Sequence, residues 1–330
     1  MRLNNLKKYK HFILTVVVML TLSALYNYYK KGEDRKYKED EYNIVRKYLL
    51  NGSSLAKSER PIIWIHLLYE SNAREWDSFG SRRNENLNQP FQLLTIKSII
   101  DKCDEDFNIC LIDDDSFYNI LPGWDIDMSL LSEPLKQGFR HLAISKLLYY
   151  YGGITLPSSI ICFKSFIDVY NKCTSKNTAF IGELVSRNIN ADITEFFPDV
   201  KFMGCIKGNR TMLDYSQFLE KLVSSDFTSE NQFDGTISKW WYANIKQGGA
   251  VLIPSQMIGA SDIHGVPIII DTLFSDSFLE LYPETICLYI PADEILKRTS
   301  YQWFARLSTE QVLESQTAIG KYLLLSSNNM

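Results

Sequence analysis

Three consecutive aspartates follow the short apolar run at residues 107–112. That run predicts a buried strand, and the carboxyl ends of parallel strands are where open α/β sheets bind ligands. Asp113 and Asp114 are therefore candidate contacts to the ribose of a nucleotide or to a metal ion. A solvated turn is the alternative interpretation, because aspartates after a strand are also common turn residues. The residue types leave both interpretations open.

Trp64 and His66 lie together in an earlier apolar run, at residues 62–69, that predicts another strand. The indole of Trp64 offers a flat surface on which a nucleotide base can stack, although its apolar neighbours favour a core position about equally. His66 could contact a ligand, but a lone histidine on a strand is more often a structural residue. Both side chains are candidate binding residues with a structural alternative.

Two other groups of residues have metal-ligand chemistry. Asp125 and Asp127 have the Asp-x-Asp spacing of a divalent-cation site, but they fall in a predicted loop before a helix. Asp262 and His264 could complete a metal site only if a first pair of carboxylates existed elsewhere. A loop role is the favoured interpretation for both groups.

The elements around these residues alternate between strands and helices. A helix at residues 90–103 separates the two apolar strands, and a helix at residues 139–151 ends at Gly152 and Gly153 before one predicted strand at residues 154–163. Further strands are predicted near 179–182, 200–206 and 250–253, with helices near 211–223 and 237–245. This order predicts an α/β domain with a mostly parallel sheet flanked by helices.

Composition narrows the class of protein further. The 330 residues are 45% hydrophobic and 22% charged, which is typical of a globular protein. A net charge of -4 supplies no broad basic field, so nucleic acid is excluded as an expected partner. The six cysteines are too scattered for a disulfide scaffold or a zinc site, although one or two bridges stay open in an oxidising compartment.

The N-terminal region predicts a membrane anchor. Residues 12–25 carry no charge and are followed by tyrosines, and the span from residue 12 to 29 counts 18 residues, at the short end for crossing a bilayer. A signal peptide is the alternative, but no small-residue cleavage site follows. We therefore predict a tail and transmembrane anchor at 1–30, a charged stem helix at 31–57 and a globular domain at 58–330. A short tail before a large domain favours a single-pass type II arrangement in a Golgi-like, ER-like or viral membrane.

Three segments carry a family resemblance. Residues 61–66 read PIIWIH, residues 110–115 read CLIDDD and residues 147–156 read LLYYYGGITL, and together they resemble the family 32 glycosyltransferases. The resemblance implies a GT-A-like nucleotide-diphosphate-sugar transferase fold, a nucleotide-sugar donor, and a glycan or glycoprotein acceptor. With its altered motif positions, the sequence is also similar to transferase-like proteins encoded by large DNA viruses.

The chain departs from the family at the metal site. Where the family has the two carboxylates that hold a divalent cation against the donor diphosphate, this sequence has Pro157 and Ser159. Neither side chain replaces a carboxylate as a ligand of Mn²⁺ or Mg²⁺, so no metal cofactor is expected. The family's donor-binding aspartate and arginine on the preceding helix are also replaced, by His141 and Ile144.

Positive charge from neighbouring side chains could replace the metal. Arg140, His141 and Lys146 lie on the helix before the Gly-Gly turn and could stabilise a diphosphate directly. The predicted donor-binding residues are Trp64, His66, Asp113, Asp114, Arg140, His141, Gly152, Gly153, Ser158 and Ser159.

Two functions follow from this interpretation. The first is a membrane-anchored glycosyltransferase-like protein that transfers a hexose from a nucleotide-sugar to a glycan or protein, without a metal if it is active. The alternative is a catalytically dead pseudo-glycosyltransferase that binds a glycan or protein, or has a structural role in a membrane or virion. Because the two metal-binding carboxylates of the family are replaced, the sequence does not decide whether the protein is catalytically active.

Overall fold

A computed structural model describes residues 60–67, 89–121, 123–186, 195–225 and 230–327. All of them belong to the compact unit Gly52–Met330. The predicted anchor and stem lie outside the described residues. Within the described ranges, no helix combines the length and the apolar character needed to cross a membrane.

The strands and helices alternate along most of the described chain. The strands are β1 (Ile62–His66), β2 (Asn108–Ile112), β3 (Gly153–Leu156), β4 (Ile160–Cys162), β5 (Ala179–Ser186), β6 (Glu195–Cys205), β7 (Ala250–Ile253) and β8 (Cys287–Tyr289). The α-helices are α1 (Phe91–Cys103), α2 (Ser116–Ile120), α3 (Glu133–Tyr151), α4 (Ile167–Thr174), α5 (Arg210–Val223), α6 (Glu230–Lys246), α7 (Ile270–Leu273), α8 (Ala292–Lys297), α9 (Gln302–Ala305), α10 (Thr309–Glu314) and α11 (Ala318–Ser327).

A central sheet joins six of these strands in the order β2-β1-β3-β6-β5-β7. The pairs β1–β2, β1–β3 and β5–β7 are parallel, whereas β6 runs antiparallel to both β3 and β5. All strands of this sheet except β6 therefore point the same way. The prediction of an α/β domain with a mostly parallel central sheet is confirmed.

The interior strand β1 shows why the sheet is covered on both faces. Its four residues from Ile62 to Ile65 are all buried, as expected of a parallel strand with packing on each side. Ile63 and Ile65 belong to one large apolar cluster with side chains from α1 and α4. Because side chains alternate along a strand, Trp64 points to the opposite face, where its ring contacts Tyr151 of α3.

The predicted single strand at residues 154–163 is wrong. The chain leaves the central sheet after β3 and enters a separate two-stranded sheet as β4, which pairs antiparallel with β8. Pro157 stands at the break, and proline has no backbone N–H with which to continue a strand ladder. The break turns residues 157–159 away from the sheet at the carboxyl end of β3.

The C-terminal helices pack against the rest of the domain. A second apolar cluster joins residues of α7 to α11 with Phe91 of α1 and Ile161 of β4. Other residues of α1 and β4 belong to the first apolar cluster. The two clusters are therefore connected through the same helix and the same strand.

Candidate functional site

A cavity of about 180 Å³ lies at the carboxyl ends of β1 and β3. His66, the last residue of β1, lines the cavity. Residues 155–159 also line it, at the point where the chain leaves β3. Other walls come from α1, α3, β6, β8 and α8. We call this space the strand-end cavity. Its position is the one at which open α/β sheets bind ligands.

Asp114 is the centre of a charged cluster beside the strand-end cavity. One carboxylate oxygen, Oδ1, lies 3.0 Å from His66 Nε2 and accepts from Arg140 Nε at 2.9 Å. The other oxygen accepts from Arg140 Nη2 at 2.8 Å, which makes the arginine contact bidentate. Although burial raises the pKa of Asp114, the hydrogen bonds from His66 and Arg140 hold it well below its usual value. Asp114 is therefore ionised, and its charge balances that of Arg140.

The ionised carboxylate determines how His66 is held. A carboxylate accepts hydrogen bonds and cannot donate them, so the proton of the Asp114 contact belongs to His66 Nε2. The ring of His66 also stacks on Phe117, with centroids 5.3 Å apart and an interplanar angle of 7°. The imidazole is thus fixed at the edge of the cavity with Nδ1 as its remaining polar atom.

His141 does not supply positive charge as expected. The pKa of this buried side chain falls to about 4, mainly because of burial and then because Lys201, His66 and Arg140 are nearby. The imidazole is therefore neutral at pH 7, and its Nε2 lies 3.3 Å from the amide nitrogen of Gln137. Of the other predicted cations, Lys146 pairs with Glu220 at 2.7 Å and does not line the cavity.

The turn after β3, where the resemblance places metal carboxylates, faces the strand-end cavity. Pro157, Ser158 and Ser159 all line it. The Ser158 hydroxyl donates to Gln92 Oε1 at 2.9 Å, and the Ser159 hydroxyl donates to the Ile290 carbonyl at 2.7 Å. These hydroxyls connect the turn after β3 to α1 and to the end of β8.

Lys201 and Asp293 are cavity residues that the sequence analysis missed. Lys201 Nζ lies 3.0 Å from Asp293 Oδ2, and the two side chains are 38% and 57% exposed. The pKa of Lys201 is raised well above its usual value, mainly by electrostatic interaction with Tyr289. Burial of Lys201 acts in the opposite direction, whereas Asp293 and Asp199 add to the increase. A signal existed in the sequence, since Lys201 is the single charged residue in the apolar run 200–206.

Four predicted site residues have structural roles instead. Trp64 is only 1% exposed, and its indole N–H donates to the Gly152 carbonyl at 3.0 Å, so it does not line the cavity. Gly152 and Gly153 have φ values of +73° and +102° and form the turn between α3 and β3. Asp113 accepts from the backbone N–H of Ser116 at 2.9 Å, as a turn residue does.

The other acidic pairs also form turns. Asp127 accepts from the Ser129 backbone N–H at 2.9 Å, at the start of a short 3₁₀ helix. Asp262 accepts from the backbone N–H groups of His264 and Val266 at 2.9 and 2.8 Å. Among the residues described, no group of three histidine, cysteine, aspartate or glutamate side chains is arranged to hold a metal ion.

Comparisons with known proteins add little to this geometry. No family model matches the chain, and no curated protein matches it. A solved structure described as "PaToxG Glycosyltransferase" is similar at 16% identity with a TM-score of 0.30, over 64% of this chain and 80% of that chain. Similarity at this level carries no argument about the chain's chemistry, which rests on its own residues.

Proposed function

We propose that this chain is a glycosyltransferase-like protein that binds a nucleotide-sugar donor in the strand-end cavity and transfers its hexose to a glycan or protein, without a divalent metal. One observation carries the proposal. Pro157 and Ser159, where the resemblance places the metal carboxylates, line the same cavity as Lys201. A mostly parallel sheet with the cavity at its strand ends also agrees with a GT-A-like fold.

Lys201 is the cation that can take over the role of the metal. A diphosphate leaving group needs positive charge, but Arg140 is held by Asp114, and His141 is neutral. The Lys201–Asp293 pair is partly exposed, and pairs of that kind are worth about 0–1 kcal/mol. A donor phosphate can therefore displace Asp293 from Lys201 at little cost.

His66 supplies a directional contact in this proposal. Asp114 and the Phe117 ring fix the imidazole, and Nδ1 is then an acceptor for a hydroxyl group of the donor. The bidentate contact with Asp114 uses Nε and Nη2 of Arg140 and holds the guanidinium in place where its side chain lines the cavity.

A noncatalytic sugar-binding protein is the second candidate. It is favoured by the positions of Trp64 and Arg140, two predicted donor contacts whose polar groups are hydrogen-bonded inside the protein. In both candidates we propose that residues 12–29 anchor the domain to a membrane, with the type II orientation predicted from the sequence.

Full-length protein in a mild detergent tests the proposal. Thermal shift and donor hydrolysis are measured with UDP-glucose and GDP-mannose, in Mn²⁺ and in EDTA. We expect one donor to bind and to be hydrolysed equally under both conditions. Lys201→Met should weaken binding by about 10- to 100-fold, as expected for loss of a hydrogen bond to a charged group.

Lys176→Met is the matched control, since it removes an exposed lysine outside the cavity. Its donor affinity should equal that of the unmodified chain. Donor binding without hydrolysis would support the noncatalytic candidate. Absence of binding to either donor, or hydrolysis that requires Mn²⁺, would contradict the metal-independent transferase.

A further inference from the structure

Three glutamine side chains line the strand-end cavity. Gln89 stands before α1, Gln92 lies in the first turn of α1, and Gln137 lies near the start of α3. All three lie outside the three segments that carry the family resemblance, so the resemblance assigns them no role. A carboxamide carries no charge and has both hydrogen-bond donors and an acceptor, which are the groups that bind sugar hydroxyls.

Each of these glutamines keeps one amide atom outside the hydrogen bonds of the described residues. Gln89 Nε2 donates to the first backbone carbonyl of α8 at 3.1 Å, whereas its buried Oε1 has no donor among the described residues. Gln92 Oε1 accepts from the Ser158 hydroxyl at 2.9 Å. Gln137 Nε2 lies 3.3 Å from His141 Nε2. Over the part of the chain that the structure describes, no hydrogen bond involves Gln92 Nε2 or Gln137 Oε1.

The turn after β3 fixes the direction of the Gln92 amide. Ser158 is bonded to α1 twice, through its hydroxyl to Gln92 Oε1 and through its carbonyl, which accepts from Thr95 Oγ1 at 2.6 Å. Because Oε1 is occupied by the turn, Nε2 is the atom of Gln92 that a ligand can use. Lys201 lines the same cavity, so a donor whose phosphates lie at Lys201 brings its sugar among these amides.

We propose that Gln92 and Gln137 bind the hexose of the donor through its hydroxyl groups, with Gln92 Nε2 as a hydrogen-bond donor and Gln137 Oε1 as an acceptor. This inference rests on the proposed function, in which Lys201 binds the diphosphate of the same ligand. A hydroxyl group can both donate and accept, so a hexose with several free hydroxyl groups uses both amide atoms at once. The two glutamines therefore recognise the sugar and not the nucleotide.

A purely structural role is the competing interpretation. Gln92 would then only support the turn after β3, and Gln137 would only support His141. The two roles differ in one measurable way. A structural defect in the cavity weakens binding of a nucleoside diphosphate and of its sugar conjugate alike, whereas loss of a hexose contact weakens binding of the sugar conjugate alone.

Isothermal titration calorimetry of the full-length protein in a mild detergent separates these roles. UDP is compared with UDP-glucose, and GDP with GDP-mannose. Gln92→Met and Gln137→Met should each weaken binding of the nucleotide-sugar by about 5- to 12-fold, as expected for loss of one uncharged hydrogen bond. Binding of the nucleoside diphosphate should stay unchanged. Gln217→Met is the matched control, since it replaces an exposed glutamine of α5 outside the cavity, and it should change neither affinity.

Donor analogues in which one hexose hydroxyl is replaced by hydrogen test the unmodified chain directly. The analogue that lacks a hydroxyl bound by Gln92 or Gln137 should bind about 5- to 12-fold more weakly, and this difference should disappear in the corresponding methionine variant. Equal affinity of all the analogues for the unmodified chain would overturn the inference.

Two results in the variants would also count against it. Unchanged nucleotide-sugar affinity in either variant, or an equal loss for the nucleoside diphosphate, would overturn the assignment of that glutamine. These outcomes would leave donor binding at Lys201 and the proposed function intact. Failure of the unmodified chain to bind any donor would remove the proposed function together with the inference.

Discussion

At the scale of single residues, Asp114 is the carboxylate that joins His66 and Arg140 in one cluster. Its carboxylate neutralises the buried Arg140 guanidinium and orients His66. Asp114→Ala should lower the free energy of unfolding by about 3 kcal/mol, because it removes the carboxylate that pairs with a buried guanidinium. Urea denaturation at pH 7 measures the change.

Asp214 provides the control for that measurement. It pairs with Arg210 at 3.1 Å one helical turn away, and the side chains of Arg210 and Asp214 are 80% and 43% exposed. Asp214→Ala should cost no more than about 0.5 kcal/mol, because exposed i,i+4 pairs contribute little. Equal losses from the two aspartate substitutions would show that the Asp114 cluster does not stabilise the fold.

The backbone of the neighbouring strand β1 leaves no room for a side chain at Gly153. A Cβ atom there would lie 2.0 Å from the Ile62 carbonyl oxygen, and φ is +102°. Gly208 has a φ of +72°, but a Cβ atom added to it would meet nothing within 4 Å. Gly208→Ala should therefore cost about 1 kcal/mol for its left-handed backbone alone. Gly153→Ala should cost more than about 4 kcal/mol, because β1 or the turn must move.

Thermal or urea denaturation of the two glycine variants checks this difference. Similar losses would mean that the turn after α3 adjusts without disturbing β1. A large loss confined to Gly153→Ala would show that the Gly-Gly sequence is required for close packing of the turn against β1. The Gly-Gly turn would then have a structural role whether or not the cavity binds a donor.

At the scale of elements, helices and strands with strong apolar periodicity were predictable. The predicted helix at 211–223 appears as Arg210–Val223, and the predicted strand at 250–253 appears as Ala250–Ile253. The change of sheet after β3 was not predictable from hydrophobicity, because the strands on either side of residues 157–159 are both apolar and buried. Which sheet a short apolar strand joins depends on distant partners, here β8.

The same limit applies to the candidate site. Sequence reasoning found five of the residues that line the cavity: four lie near the Gly-Gly turn, among them Arg140 and Ser159, and His66 lies in the first segment of the resemblance. Lys201 and Asp293 were missed because 92 residues separate them in the chain and only the fold brings them together. Trp64 was equally ambiguous, since an aromatic residue on a strand can face a ligand or a packed helix.

Helix α3 makes the stability of the domain sensitive to pH through His141. Its pKa is about 4 in the folded protein and 6.5 in the unfolded chain, so the unfolded state binds more protons between these values. The contribution of neutral His141 to the free energy of unfolding is complete above pH 6.5 and is lost as the pH falls to about 4. This difference between the folded and unfolded pKa values corresponds to about 3 kcal/mol of unfolding free energy.

Urea denaturation at pH 7.0 and pH 4.5 tests the role of His141. His141→Gln should remove most of the difference between the two values, because glutamine does not titrate. His264→Gln is the control, since that side chain is exposed and pairs with the exposed Glu280. An unchanged pH dependence in His141→Gln would show that other groups cause the loss of stability in acid.

At the scale of the whole molecule, the described domain should unfold as one unit. The apolar cluster of the central sheet and that of the C-terminal helices both include side chains of α1 and of β4. Phe91, at the start of α1, packs on Phe304, and other α1 side chains share the first apolar cluster with residues of β1 and β2. A mutation in the C-terminal cluster is therefore expected to destabilise the central sheet.

Phe304→Ala tests this connection. The Phe304 ring is fully buried in α9 and lies 5.3 Å from the Phe91 ring, so truncation should cost about 3–5 kcal/mol. Leu325→Ala, at a half-exposed position of α11, should cost about 0.5 kcal/mol or less. Hydrogen exchange of the β1 amides is the measurement. If the domain is cooperative, Phe304→Ala lowers protection in β1 by the full loss of stability. Faster exchange confined to the C-terminal helices would instead show that they open independently, with Asp293 and one wall of the strand-end cavity moving apart from Lys201.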